Sequence, residues 1–302
     1  MRRLHWFQND LRLADNPALA SAQSADSLLC VYLLPRPRPW CNLTGLGPQR
    51  NRFLRESLQE LKTQLQQLGQ ELMVLEGSPE LVLPSVVERY GIEYVTTSFT
   101  AGWYESQGVG FLEEKLPVPL EVFRGNTLFN IEQLPFAIED LPSTFSPFRR
   151  KVEKQTIDRA RSAPESLPPP PAAQFDAIPH AAASPHPGLP LPGGSAAGLR
   201  RLDQFLFQEH GIADYKQTRN DLDGLAGSST LSPWLANGAV SVRTVAHDIF
   251  RYERERTAND STYWLYFELL WREFFHWRAV ADGAALFRQS GRHSRRLLTT
   301  FE

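Results

Sequence analysis

The chain has 302 residues, is 42% hydrophobic and 22% charged, and carries a formal net charge of −2. That length suits two domains or one large one, and the composition is that of an ordinary soluble globular protein. Near-neutral charge excludes a global attraction to nucleic acid or anionic membrane and leaves only local basic patches for such contacts.

The two cysteines, Cys30 and Cys41, make neither a disulfide framework nor a zinc spacing. Cys30 lies in an apolar run and is expected to be a buried thiol. The opening "MRRLHWFQND" lacks the apolar stretch of a signal peptide, and no run reaches the length of a membrane span, so the cytoplasm is the expected location.

In chain order, "RRLHWF" (2–7), "SLLCVYLL" (27–34), "ELMVLEG" (71–77), "IEYVTTS" (92–98) and "LEVFRG" (120–125) predict short buried strands. Helical patterns separate them. In 50–69, Phe53, Leu54, Leu58, Leu61 and Leu65 repeat at three and four, and Gly69 ends the helix. The next helix opens with Ser78 as cap and Pro79 at its first position. Alternating strands and helices imply a parallel sheet covered on its faces. After the first strand comes "QNDLRLADNPAL", not G-x-G-x-x-G, so a nicotinamide site is not licensed. Two readings stay open for that loop. In one, Asn16 caps a helix begun by Pro17 while Asp10 and Arg12 pair locally. In the other, Asp10, Arg12, Asp15 and Asn16 serve a domain boundary.

Residues 155–199 are rich in Pro and Ala and read as an extended linker wrapping the surface. His180 and His186 lie in it with no acidic or thiol partner close in sequence. Beyond Gly194 the pattern is helical, with Leu199, Leu202, Phe205 and Leu206 expected on one face. "GSSTLSPWLANG" (227–238) places Ser228, Ser229, Thr230 and Ser232 before Pro233. Ser232 reads as a cap with proline after it. Backbone N–H groups and hydroxyls at a helix start suit an anion such as phosphate, and an ordinary serine-rich cap is the plainer alternative. Tyr215, Lys216 and Arg219 lie just upstream. A further helix has Val245, Ile249 and Tyr252 inward.

The stretch "STYWLYFELLWREFFHWR" (261–278) has eight aromatic residues in eighteen positions. Asp260 is the expected cap. One stripe runs Tyr263, Phe267, Leu270, Phe274, Trp277 and a second runs Trp264, Glu268, Trp271, Phe275. A helix apolar on most of its circumference belongs in a large core. Glu268 and Arg272 stand one turn apart, as a buried ion pair or as part of a polar, aromatic-lined ligand surface. Arg288, Arg292, Arg295 and Arg296 form a basic tail that reads as a solvated end or as a phosphate contact.

Taken together, "LHWFQNDLRLADNPAL", "NTLFNIEQLPFAIEDLPSTFSPFRRKVEK", "YKQTRND", "SSTLSPWLANGAVSVR" and "YERERTANDSTYWLYFELLWREFFHWR" resemble the photolyase/cryptochrome family, and within it the cryptochrome DASH group. Gln8 stands where that family usually has arginine. The resemblance implies an α/β fold: an N-terminal Rossmann-like parallel-sheet antenna domain (1–130), a connector and Pro/Ala-rich linker (131–198), and part of a helical FAD-binding domain (199–302). It implies FAD held by Tyr215, Ser228, Ser229, Thr230, Leu231, Ser232, Trp271, Arg272 and Phe275. It implies Glu268 and Trp271 as catalytic residues facing a flipped pyrimidine dimer, and Arg219 and Trp271 as DNA contacts. Blue-light-driven electron transfer from reduced FAD to cyclobutane dimers in damaged, single-stranded DNA is the implied reaction, with a 5,10-methenyltetrahydrofolate antenna. A blue-light receptor that binds FAD and nucleic acid without repair, and a non-catalytic remnant, are the alternatives. Family members continue with many more helices, so the helical domain is expected to be incomplete here: either the sequence is a fragment, or the protein is a shortened one, in which case weak or absent FAD binding and partly exposed aromatic surface are expected.

Overall fold

The computed structural model describes residues 1–35, 45–188, 190–221, 227–288 and 291. Cys41, Arg292, Arg295 and Arg296 lie outside them. Five strands form one parallel sheet: β1 (Arg2–Phe7), β2 (Ser27–Leu34), β3 (Leu72–Glu76), β4 (Tyr94–Ser98) and β5 (Leu120–Phe123), in the order β3-β2-β1-β4-β5. Arg2 pairs with Ser27 and Phe7 with Tyr32, so β1 runs in step with β2 over its whole length. The winding reverses between β1 and β4, and loops diverge there at the carboxyl ends of the strands.

Alternation along β2 explains the layering. Leu28, Cys30 and Tyr32 join one core with Leu54, Leu58, Leu61 and Leu65 of α2 (Pro48–Gln67). Leu29, Val31 and Leu33 join the opposite core with Leu83 and Val86 of α3 (Pro79–Tyr90) and Leu112 of α4 (Trp103–Lys115). Cys30 is fully buried, and burial pushes its thiol above the ordinary range. The connector from about residue 155 lies along this unit. Its carbonyls at Asp176, Ile178, Pro179 and Leu191 accept hydrogen bonds from Lys62, Gln59, Arg55 and Arg52 of α2.

The loop after β1 joins the sheet to the helices. Asn16 caps α1 (Pro17–Ser21), accepting from the Leu19 N–H at 3.0 Å. Arg12 does not pair with Asp10 through its side chain. Its buried guanidinium donates to the carbonyls of Gly238, Gly125 and Asp15 and to Asn126 Oδ1, at 2.7–3.0 Å. Asp10 instead accepts from Ser98 and Asn16. Asp15 is fully buried against Arg243 and Ser241 of the helical part. Buried charges persist only where paired and hydrogen-bonded, and this loop supplies those partners across the boundary. The boundary role is therefore the one the geometry carries.

The third core is helical. It gathers α5 (Phe145–Val152), α6 (Ser195–Asp203), α7 (Tyr215–Thr218), α8 (Ser232–Ala236), α9 (Val242–Glu255) and α10 (Asp260–Asp282). Several sequence expectations are corrected here. Leu199 is 43% exposed rather than inward. Ser232 is the first residue of α8, not its cap, because Leu231 holds the cap position with no side-chain bond. Asn259, not Asp260, caps α10. Its extended backbone aims the amide oxygen at the N–H groups of Ser261 and Thr262, and Thr262 answers by accepting from the Asn259 N–H. Asp260 instead pairs with Lys216 at 3.1 Å.

The buried seam of α10 is Leu265, Tyr266, Leu269, Leu270, Glu273, Phe274 and Trp277. Of the first expected stripe, Leu270, Phe274 and Trp277 are buried, while Tyr263 and Phe267 are half-buried at the edge of α5, Tyr263 donating to Glu153 and Phe267 packing edge-on against Phe145. Glu273 is the fully buried acid of this helix. It accepts from the Leu128 and Phe129 N–H groups and from Trp277 Nε1, which ties α10 to the chain after β5. Burial raises its carboxyl while those donors pull it back. No helix among the described residues is long and apolar enough to cross a membrane.

Candidate functional site

Positions i, i+3, i+4 and i+7 share a helix face, so α10 presents Glu268, Trp271, Arg272 and Phe275 together. Both oxygens of Glu268 are engaged. The Tyr215 hydroxyl donates to one at 2.6 Å, and Arg219 Nη1 donates to the other at 2.9 Å. The Glu268–Arg272 pair permitted by spacing is not made. Arg272 Nη1 donates instead to the main-chain carbonyl of Asn126 at 2.9 Å. Tyr215 is buried, and burial together with the Glu268 carboxylate pushes its phenol above the ordinary range.

The rings on this face are arranged as a platform. Trp271 stacks on Phe145 of α5 with centroids 3.7 Å apart and planes 13° apart, and on Phe275 at 5.5 Å and 25°. Phe275 is 60% exposed. Trp264 lies under two cations, Lys216 at 5.1 Å and Arg219 at 5.4 Å from its ring centre. Each such contact stabilises by roughly 0.5–1 kcal/mol at an exposed site. The Trp264 indole N–H is buried with no partner among the described residues.

The hydroxyl loop reaches the same place from the other side. Ser229 lies beside the Tyr215 phenol. Thr230 sits at φ +53°, a left-handed conformation that costs a non-glycine residue about 1–3 kcal/mol unless its surroundings enforce it. Arg201 of α6 enforces it, donating to the Ser228 carbonyl at 2.8 Å, the Ser229 carbonyl at 3.3 Å and Thr230 Oγ1 at 3.2 Å. The Arg201 charge is balanced by Glu209 at 3.0 Å. Ser229 and Leu231 are buried and Ser232 is exposed. Helix α8 has five residues, too short to add much end field. An anion here would depend on the hydroxyls and on Tyr215.

The structure thus joins Tyr215, Arg219 and Glu268 directly, brings Ser229 to Tyr215, and stacks Trp271 with Phe275. Arg272 shares their helix face but is anchored on the loop after β5. Sequence reasoning missed Arg201, whose setting in "GLRRLD" looks like a solvated face, and Asn126, which carries no local signal. It also missed a cavity of about 1280 Å³ at the carboxyl ends of β1, β2 and β3. Gln8, Asn9, Tyr32, Arg52, Tyr104 and Asn237 are among its lining residues. The rule that open parallel sheets bind ligands beyond their carboxyl ends was the available signal. At this end Gln8 donates to Thr97 Oγ1 at 2.9 Å and to the Ser98 carbonyl at 3.2 Å, bracing β1 against β4 across the switch point. Among the described residues no group of His, Cys, Asp and Glu has the makings of a metal centre.

Comparison with known proteins gives a consistent result. Residues 3–172 match the family model described as DNA photolyase. A cryptochrome DASH of Idiomarina loihiensis is 36% identical over 98% of this chain and 67% of its own length. One from Vibrio parahaemolyticus is 38% identical over 99% of this chain and 68% of its own. The crystal structure of a Synechocystis cryptochrome superposes with a TM-score of 0.89 at 35% identity, covering 96% of this chain and 64% of that one. The chain spans about two thirds of the length of these relatives.

Proposed function

Because the chain belongs to the DNA photolyase family, and is similar along nearly its whole length to cryptochrome DASH proteins, we propose that it is a flavoprotein of cryptochrome DASH type acting on damaged DNA. The observation that carries this is the convergence of Tyr215, Arg219 and Glu268 beside the ring platform of Trp264, Trp271 and Phe275. Aromatic faces suit an unstacked base, and cations beside them suit its phosphates. A lesion must leave the duplex stack to reach such a face, which is cheapest in single strands or at damaged pairs. Single-stranded, dimer-bearing DNA in the cytoplasm is the proposed setting.

The donor set fits FAD. The hydroxyls of Ser228, Ser229, Thr230 and Ser232 suit phosphate oxygens, joined by the Tyr215 phenol once it releases Glu268, and Arg272 offers further N–H groups. Trp271, Arg272 and Phe275 would border the ring system, with Leu231 supporting the loop from the core. When bound and reduced, FAD supplies the photoexcited electron that opens a cyclobutane dimer. The chain's own part is to bind, orient and exclude water. Glu268 is positioned to hydrogen-bond a pyrimidine edge once Tyr215 or Arg219 releases an oxygen, and Arg219 then turns to a phosphate. On the same proposal residues 1–130 form the antenna domain, 131–198 the connector and 199–302 the flavin-binding part, and the light-harvesting partner is 5,10-methenyltetrahydrofolate.

One observation favours a second function. Both Glu268 oxygens are occupied, so nucleic acid could bind without the acid reaching a lesion, as in a light receptor. The test is to load the purified chain with FAD, remove free flavin by gel filtration and illuminate it with a dimer-containing oligothymidylate. Retained flavin with light-dependent recovery of thymine absorbance supports repair. Retained flavin and DNA binding without recovery supports the receptor, and absence of retained flavin overturns both in favour of the non-catalytic remnant.

A further inference from the structure

We propose that Asn126 is a positioning residue for Arg272, holding the open wall of α10 in register with the rim of the sheet cavity; this rests on reading that wall as the flavin side. Asn126 follows β5 and uses its side chain in both directions. Oδ1 accepts from Arg12 Nη1 at 3.0 Å, and Nδ2 donates to the Asn9 carbonyl at 2.9 Å. A carboxamide offers a donor and an acceptor on separate atoms of one tip: aspartate would lose the donor and alanine both. The main-chain carbonyl of the same residue accepts from Arg272.

Each anchor of Asn126 is itself held by further contacts. Arg12 is 3% exposed and its other bonds run to the carbonyls of Gly238, Gly125 and Asp15. A Cβ on Gly125 would stand 2.6 Å from Pro17, so the peptide before Asn126 lies flush against the start of α1. Gly238 has φ +70°, and a Cβ there would collide with the Asn9 carbonyl. Asn9 is thus pressed by one loop and bonded by the other while it also lines the cavity. The bond to Asn126 is the one hydrogen bond of the Arg272 guanidinium among the described residues. A five-donor fork aimed by a single fixed carbonyl keeps its remaining N–H groups for a ligand.

A double-mutant cycle on the full chain tests this, with FAD affinity read by quenching of flavin fluorescence. N126A is expected to weaken FAD about fivefold, the worth of a lost hydrogen bond. R272M should weaken it at least as much, and the double variant should be no worse than R272M alone, since a positioning residue acts only through what it positions. N126Q and R12K, which keep amide and charge but not the geometry, should recover little. Additive losses would overturn the proposal. A second arm needs no flavin: in the apo chain, N126A should speed exchange of the Arg272 guanidinium protons in arginine-labelled NMR while α10 amide protection stays unchanged. If the parent chain retains no FAD, the flavin reading fails, and an Arg272 signal unaltered by N126A removes the positioning role as well.

Discussion

The sheet and helix α10 are both written in apolar-rich sequence, yet one is closed and the other is open. Six successive residues of β2, Leu28 to Leu33, are buried because helices cover both faces. On α10 the ring density is higher, but Trp264, Phe267 and Trp271 are only half-buried and Phe275 is mostly exposed. The difference lies in the neighbours. Strand side chains are flanked by aliphatic groups from two layers. The open rings of α10 are flanked by Lys216, Arg219, Glu268 and Arg272, which prefer a polar boundary. Aromatic density therefore marks a core only where the intervening charges are also accounted for, and here they mark an edge.

That contrast can be broken or sharpened by measurement. Trp277 is fully buried on the closed side of α10, and Trp277→Ala should cost about 3–5 kcal/mol of stability in urea unfolding. A loss below about 1 kcal/mol would mean that the closed side is loosely packed.

The next effect is on pH. Burial pushes His5, on the central strand β1, down to about 4, and His276 on α10 down to about 3 with Arg272 and Arg124 adding to the effect. An unfolded histidine titrates near 6.5, so above that pH neither state gains a proton and stability is unaffected. As pH falls below about 6.5 the unfolded chain takes up the proton first, and stability declines until the folded value is reached. For His5 the loss between pH 6.5 and 4 is about 3 kcal/mol. Denaturant titrations from pH 7 to 4 should show the slope, reduced in His5→Gln. An identical slope in that variant would assign the acid sensitivity elsewhere.

Asn259→Ala removes the amide cap of α10 and should cost about 1 kcal/mol, with Asp260 unable to replace it. If Asp260→Ala costs more, the cap is misplaced by one residue. The smallest effect belongs to the open side. Phe275→Ala should change stability by less than about 0.5 kcal/mol while weakening any planar ligand that stacks beside Trp271. A core-sized loss there would erase the contrast between the two faces.

Much of the fold could be read from periodicity. The strands at 2–7 and 27–34 coincide with β1 and β2, and the leucine repeat of α2 faces inward as its spacing requires. The Asn16 cap was legible because its chemistry is local. Less could be read of the candidate site. The stripe Glu268, Trp271, Phe275 was visible as a stripe, but its partners were not, since Tyr215 lies 53 residues from Glu268 and Asn126 lies 146 from Arg272. The α10 cap was missed because Asn259 and Asp260 are both good capping residues, and only the backbone angles separate them.

By itself the sequence determined the features that short-range chemistry sets: five parallel strands alternating with helices, a wrapped proline-rich connector, and an aromatic helix with a polar stripe. Tertiary structure alone decided which acid is buried and which is displayed. Glu273 is inside because the Leu128 and Phe129 N–H groups and Trp277 satisfy it, and Glu268 is at the open face because Tyr215 and Arg219 hold it there. A carboxylate's cost of burial depends on the donors that meet it, and those donors arrive from chain segments that only the fold brings together.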